Sequence, residues 1–89
     1  PARLSFAYKA MKEYDKALQA SDRALTLAYG PRKLLILRQR ADIYTAKGDK
    51  DSAKKTLNEA IAYAKSLPVQ QVSPRTIASL EKKLSDLAQ

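Results

Sequence analysis

The sequence predicts an all-α fold built from antiparallel helix pairs that stack side by side. The first observation is a repeat: four residues recur at a constant spacing of 36. They are Tyr8, Ala17, Ala24 and Leu25, matched by Tyr44, Ala53, Ala60 and Ile61. A fixed period of about 20–50 residues is typical of stacked repeats. The second observation is composition, because only two Gly and four Pro occur among 89 residues, which favours helix.

The first repeat is predicted to contain two short helices. Leu4, Ala7, Tyr8 and Met11 lie at the spacing of one helix face, which predicts a helix over 3–11. Residues 12–15 are expected to form a turn. A second helix is predicted over 15–28, where Asp15 would favour the exposed N–H groups of its first turn.

The second repeat is bounded by stronger signals. Gly30 and Pro31 are expected to separate the repeats, since Gly is preferred after a helix and Pro in the first turn of one. A third helix is predicted over 31–46 and a fourth over 50–66. Gly48 can end the third helix because it adopts the left-handed conformation without a steric cost from Cβ.

A fifth and last helix is predicted over 74–88. Residues 67–73 read as a loop containing Pro68, and Ser73 followed by Pro74 is a helix start signal. Ile77, Leu80 and further leucines form one apolar stripe backed by polar residues. A single helix of this kind is expected to cap a stack of helix pairs.

The composition argues against catalysis and metal binding. The chain contains no Cys and no His, so thiolate and imidazole ligands or bases are absent. Gly occurs only at 30 and 48, which excludes glycine-rich phosphate-binding motifs. We therefore expect no enzyme activity, no metal and no cofactor.

Hydropathy argues against a membrane span, since the longest apolar run is Leu34–Leu37. A soluble chain, with the cytoplasm favoured, is the expectation for location.

Two segments carry a recognisable pattern. Residues 37–60 read Leu-x2-Arg-Ala-x2-Tyr, then Gly-Asp, then Ala-x3-Leu-x2-Ala. Residues 1–24 read Pro-x2-Leu-Ser-x2-Tyr, then Ala-x3-Ser-x2-Ala. This arrangement resembles the tetratricopeptide repeat over about residues 1–67. The resemblance implies a short right-handed α-solenoid of about five helices.

In domain terms, the resemblance implies a single domain over residues 1–89. Repeat one covers about 1–30, repeat two about 31–67, and the capping helix about 74–88. The first helix lacks its expected beginning, so we expect a fragment of a longer protein.

Three residues depart from the family pattern. Arg40 stands where Leu is usual, so its side chain is expected to face solvent or a partner. Ser21 replaces a large apolar residue, which should loosen the first pair. Lys12 replaces the Gly of the turn.

The resemblance also implies a binding surface, because the first helix of each pair in such solenoids lines a concave face. The candidate partner-binding residues are Phe6, Lys9, Leu35, Arg38, Asp42 and Thr45. Phe6 and Leu35 would be apolar anchors, and Lys9 and Arg38 would pair with carboxylates of a bound peptide. The competing interpretation is that Phe6 and Leu35 merely pack against neighbouring helices.

Three functions remain open at this point. The resemblance favours a non-catalytic protein–protein interaction module for a peptide or protein partner, and the net charge of +8 suits an acidic one. The first alternative is an architectural or self-association segment that forms homo-oligomers. The second is nucleic-acid binding through Arg32, Lys33, Arg38 and Arg40, which the lack of a recognisable nucleic-acid-binding motif disfavours.

Overall fold

Four α-helices account for the fold. The computed structural model describes the backbone of residues 2–88 and the side chains of residues 13–88. The helices are α1 (Ala2–Leu27), α2 (Gly30–Lys47), α3 (Lys50–Ser66) and α4 (Pro74–Ala88). No strand occurs within residues 2–88. The prediction of an all-α chain is confirmed, whereas the predicted number of five helices is wrong.

The difference lies in α1, which runs without interruption through the turn predicted at residues 12–15. The matched turn between α2 and α3 depends on Gly48, whose φ of 88° is left-handed. Lys12 occupies the equivalent position, and a residue with Cβ in that conformation costs about 1–2 kcal/mol. Since α1 contains neither Gly nor Pro, nothing in its sequence stops the helix.

The turn between α2 and α3 is closed by local hydrogen bonds. The N–H groups of Gly48 and Asp49 donate to the carbonyls of Thr45 and Tyr44 at 3.1 and 2.9 Å. The Asp49 carboxylate then accepts from the Ser52 N–H at 3.1 Å and from its hydroxyl at 2.7 Å. These bonds satisfy groups that helix ends leave unpaired, so both boundaries follow from local sequence.

The start of α4 also follows its predicted signal. The Thr76 N–H donates to the carbonyl of Ser73 at 3.0 Å and approaches its hydroxyl at 3.3 Å, and Pro74 is the first helical residue. The preceding segment was expected to be only a connection. Val72 within it is buried, at 6% exposure, and joins the core.

Consecutive helices pack against each other, α1 on α2, α2 on α3 and α3 on α4. The core lies between α2, α3, the loop and α4. Its buried members are Leu34, Leu37, Ala41, Leu57, Ala60, Ala64, Val72 and Leu80. Small residues at several of these positions let the helices approach closely.

The short link between α1 and α2 is fixed by α3. Gly30 is buried with a φ of 63°, and its N–H donates to the Tyr63 hydroxyl at 2.7 Å. The ammonium of Lys33 lies 4.8 Å from the centre of the Tyr63 ring, within range of a cation–π interaction. Tyr63 therefore ties the start of α2 to the end of α3.

Candidate protein-binding surface

The sequence-predicted binding residues fall into two groups. Leu35, Arg38, Asp42 and Thr45 lie on one face of α2, at the spacing of successive helical turns. The side chains of Phe6 and Lys9 lie outside the described residues, so their positions stay predictions.

The α2 face forms one wall of an open cleft whose other wall is α4. Leu35 and Arg38 adjoin Thr76 near the start of α4, and Asp42 and Thr45 adjoin residues near its end. The two helices therefore run in the same direction. We call this feature the α2–α4 cleft and define it by Leu35, Arg38, Asp42 and Thr45 on α2 and Thr76, Lys83, Asp86 and Leu87 on α4.

The first end of the α2–α4 cleft encloses about 150 Å³ and combines apolar and basic groups. Leu35 is half exposed, at 50%, in contrast to the buried Leu34 beside it. Arg38 is partly buried, and its Nε has no hydrogen-bond partner among the described residues although the atom itself is buried. The positive charge of the guanidinium beside an apolar side chain suits a carboxylate.

The second end encloses about 230 Å³ and already contains an ion pair. Lys83 donates from Nζ to the Asp42 carboxylate at 3.2 Å, and both side chains remain substantially exposed. The Thr45 hydroxyl donates to the carbonyl of Ala41 at 2.8 Å, which leaves its oxygen free to accept a further bond. Leu57 and Leu87 supply apolar surface beside these groups.

The α4 side of the cleft was missed by the sequence reasoning. Thr76, Lys83 and Leu87 fall within the capping helix predicted over 74–88, and their part in the cleft depends on where α4 docks. Their spacing could have identified them, because Thr76, Lys83 and Leu87 are seven and four residues apart and therefore share one face of the helix. A single helix that follows a complete helix pair occupies the position that the first helix of a further pair would have.

Arg40 does not face solvent or a partner, as its departure from the family pattern suggested. Its side chain is only 14% exposed and lies between α1 and α2. Nη1 donates to the Leu18 carbonyl at 3.2 Å, to the Ser21 hydroxyl at 2.7 Å and to the Asp22 carboxylate. These acceptors compensate the partly buried charge, so the side chain is held within the fold.

The four basic residues considered for nucleic-acid binding do not form one patch. Arg40 is occupied between α1 and α2, Lys33 lies over the Tyr63 ring, and Arg38 lines the α2–α4 cleft. Arg32 is exposed near the end of α1. Phosphate binding requires several cations on one surface, and these point in different directions around α2.

The described residues offer neither a metal site nor a membrane-spanning helix. No group of three Asp or Glu side chains is close enough to hold a metal ion among them. None of the described helices combines the length and apolar character needed to cross a membrane.

Stacked helices with an open cleft between two parallel members define a helical-repeat protein of the α-solenoid class. A family model described as the tetratricopeptide repeat matches residues 2–66, well over half of the chain. The chain therefore belongs to the tetratricopeptide repeat family. Comparisons with curated proteins and with solved structures gave no significant match. Members of this family generally act as non-catalytic scaffolds for protein interactions, which indicates protein partners.

Proposed function

We propose that this chain is a non-catalytic interaction module that binds a peptide or protein segment along the α2–α4 cleft. The observation that carries the proposal is that Leu35, Arg38, Asp42 and Thr45 line the cleft from one end to the other. The proposed unit is a single domain over 1–89, with repeats over about 1–30 and 31–67 and a cap over about 74–88.

The dimensions of the cleft suit a short extended segment. Leu35 and Thr45 are ten residues apart on α2, which corresponds to about 15 Å along the helix axis. An extended chain advances about 3.3 Å per residue, so about four or five residues span this distance. Such a segment can place an apolar side chain on Leu35 and a second one between Leu57 and Leu87.

Charge favours an acidic residue next to the first apolar side chain. The Arg38 guanidinium lies beside Leu35 in the lining of the cleft, so a carboxylate placed there would gain a charge-assisted hydrogen bond. At the other end Lys83 and Asp42 already neutralise each other. Phe6 and Lys9 are proposed to extend this surface from the first repeat.

The experiment is a selection of random peptides displayed on phage, with the 89-residue chain as bait. Selected peptides are then titrated into isotopically labelled chain, and amide shift changes are mapped by NMR. We expect the shifts to fall on α2 and α4, with apolar and acidic residues enriched in the peptides. Shifts confined to the exposed side of α3 would contradict the proposed surface.

A charge-reversal pair makes the test specific. Arg38→Glu should weaken binding of a selected acidic peptide at least about tenfold, because an attractive charge becomes a repulsive one. Lys55→Glu on the exposed side of α3 makes the same charge change away from the cleft and should bind nearly as the unmodified chain does. Circular dichroism checks that both variants remain helical. Equal loss in both variants would show that only net charge matters.

A further inference from the structure

One face of α1 is less covered than its counterpart in α3. We call it the uncovered face; it consists of Ala17, Ala20 and Ala24, with Ser21 at its edge, where Arg40 of α2 contacts the Ser21 hydroxyl. The residues 36 positions later are Ala53, Thr56, Leu57 and Ala60, whose exposures are 0%, 7%, 1% and 0%. None of the four residues in α1 is buried, and Ala20 is exposed. Equivalent positions in the two repeats thus differ in what packs on them.

The difference follows from the number of neighbouring helices. Helix α3 lies between α2, its own pair partner, and α4, the next helix. The main neighbour of α1 among the described residues is α2, which lies against it through Leu18, Ser21 and Leu25, and only the last turns of α1 also adjoin α3, at Glu59 and Tyr63. Relative to α1, α2 occupies the place that α4 has relative to α3. Within the described residues, no helix packs on α1 in the way that α2, as pair partner, packs on α3.

The sequence identifies the missing helix as residues 2–11. Their apolar stripe of Leu4, Ala7, Tyr8 and Met11 is in register with α2, since Tyr8 matches Tyr44. However, α1 is a continuous helix, so residues 2–11 cannot turn back onto their own uncovered face. The Lys47 ammonium contacts the Asp15 carboxylate at 2.9 Å, so the helix before residue 12 extends beyond the end of α2.

We propose that two copies of this chain form a symmetric dimer in which residues 2–11 of each copy pack on the uncovered face of the other. The exchanged segment then makes with its partner the contacts that α2 makes with α3. Exchange of an identical element between copies is a low-cost route to a dimer, because the contacts are those of the closed monomer. Lys12 favours the exchange by keeping the connection helical.

Engineered disulfides test this arrangement because the chain has no native Cys. Ala41 and Leu57, which belong to the same core cluster, are matched by Ser5 and Ser21. In the S5C/S21C variant, the proposed dimer places the thiol introduced at position 5 of one copy next to the thiol introduced at position 21 of the other. Oxidation should give a covalent dimer of twice the 9.9 kDa chain mass on a non-reducing gel. Oxidised monomer, with or without an internal disulfide, would overturn the proposal, as would a yield no higher than that of S5C alone.

A turn-restoring variant provides the matched control. The substitutions K12G and E13D reproduce the Gly48–Asp49 turn at the equivalent position of the first repeat. Added to S5C/S21C, they should convert the covalent dimer into a monomer with an internal disulfide. Without the cysteines, light scattering should show a concentration-dependent dimer for the native chain and 9.9 kDa for K12G/E13D. A dimer that persists in K12G/E13D would contradict the exchange. Peptide binding in the α2–α4 cleft is measured separately and does not depend on this outcome.

Discussion

The guanidinium of Arg40 connects two departures from the family pattern that looked independent in the sequence. A large apolar residue at position 21 would meet a Leu at position 40 in an ordinary repeat. Here Ser21 leaves space and offers a hydroxyl acceptor, and Arg40 fills the space and donates to it at 2.7 Å. The Leu18 carbonyl and Asp22 carboxylate complete the set of acceptors. A polar pair has thus replaced an apolar pair at the same contact.

This substitution of one pair for another predicts strong coupling between positions 21 and 40. Arg40→Leu alone should lower the free energy of unfolding by about 1–3 kcal/mol, because the Ser21 and Asp22 acceptors lose a charged donor. Ser21→Leu alone should also destabilise, since it crowds the guanidinium and removes its acceptor. The double variant should recover most of the loss through an apolar contact. Urea denaturation at one fixed chain concentration measures all four members of the cycle.

The control for this cycle is Arg32→Leu, an exposed position on the same helix, which should change stability by less than about 0.5 kcal/mol. Additive effects of the changes at positions 21 and 40 would show that the two residues do not act as a pair. In that case the stabilisation provided by Arg40 would come mainly from its contact with Asp22.

At the scale of helices, the N-cap of α3 makes stability depend on pH. The side-chain hydrogen bond from Ser52, followed by the bond from its N–H, lowers the pKa of Asp49 below its ordinary value of 3.8. A carboxyl whose pKa is lower in the folded state stabilises the fold above its unfolded pKa. This contribution is lost as the pH falls through the folded pKa, so the window lies in acid.

Asp49→Asn isolates the charge from the cap, because Asn keeps an acceptor oxygen for the Ser52 N–H but does not ionise. The native chain should melt at a higher temperature than D49N at neutral pH, and the difference should shrink as the pH falls below the ordinary Asp pKa of 3.8. Asp49→Ala removes the acceptor and should melt lowest near neutrality. Thermal denaturation followed by circular dichroism from neutral to acid pH makes the comparison. A native–D49N difference that does not change with pH would mean that the Asp49 charge is not stabilising.

Some helix bounds could be predicted from the sequence and others could not. The bounds of α3 and α4 could be predicted because Gly48, Asp49 and Ser73 act through bonds within a few residues. The predicted break in α1 is wrong because the match between the two repeats does not include the turn Gly, and Lys12 stands in its place. The burial of Val72 could not be predicted, since it depends on the packing of a loop between helices distant in the chain.

Only the α2 wall of the cleft could be predicted from the sequence, because the α4 wall depends on contacts between helices distant in the chain. Leu35, Arg38, Asp42 and Thr45 share a face by helical periodicity, so α2 alone specifies them. The opposing Lys83 and Leu87 enter the cleft because α4 docks parallel to α2, which is a tertiary relationship. The prediction for Arg40 is wrong because its acceptors lie on α1. Leu18 is 22 residues and Ser21 is 19 residues earlier in the chain.

For the whole molecule, packing between consecutive helices is the governing feature. The described contacts join α1 to α2, α2 to α3 and α3 to α4, and the chain measures 51 × 33 × 16 Å. Each helix is covered mainly by its neighbours in the chain, so the stack stays open on the side where α2 and α4 flank the cleft. Stability in such a stack is close to a sum over neighbouring contacts.

Because each helix packs mainly on its neighbours, truncation of two equally buried leucines should destabilise different numbers of helices. Leu57 and Leu80 are both almost completely buried, at 1% and 0% exposure, but Leu57 lies in the middle of the stack and Leu80 in its last helix. Truncating either to Ala should cost about 2–5 kcal/mol through lost burial and the resulting cavity. Amide hydrogen exchange should accelerate mainly in α4 for L80A and throughout α2, α3 and α4 for L57A. Glu81→Ala, an exposed change on α4, should leave exchange nearly unchanged. If L80A accelerated exchange in α2 as much as in α4, the stack would behave as one cooperative unit, and the α2–α4 cleft could not lose its α4 wall without unfolding of the whole chain.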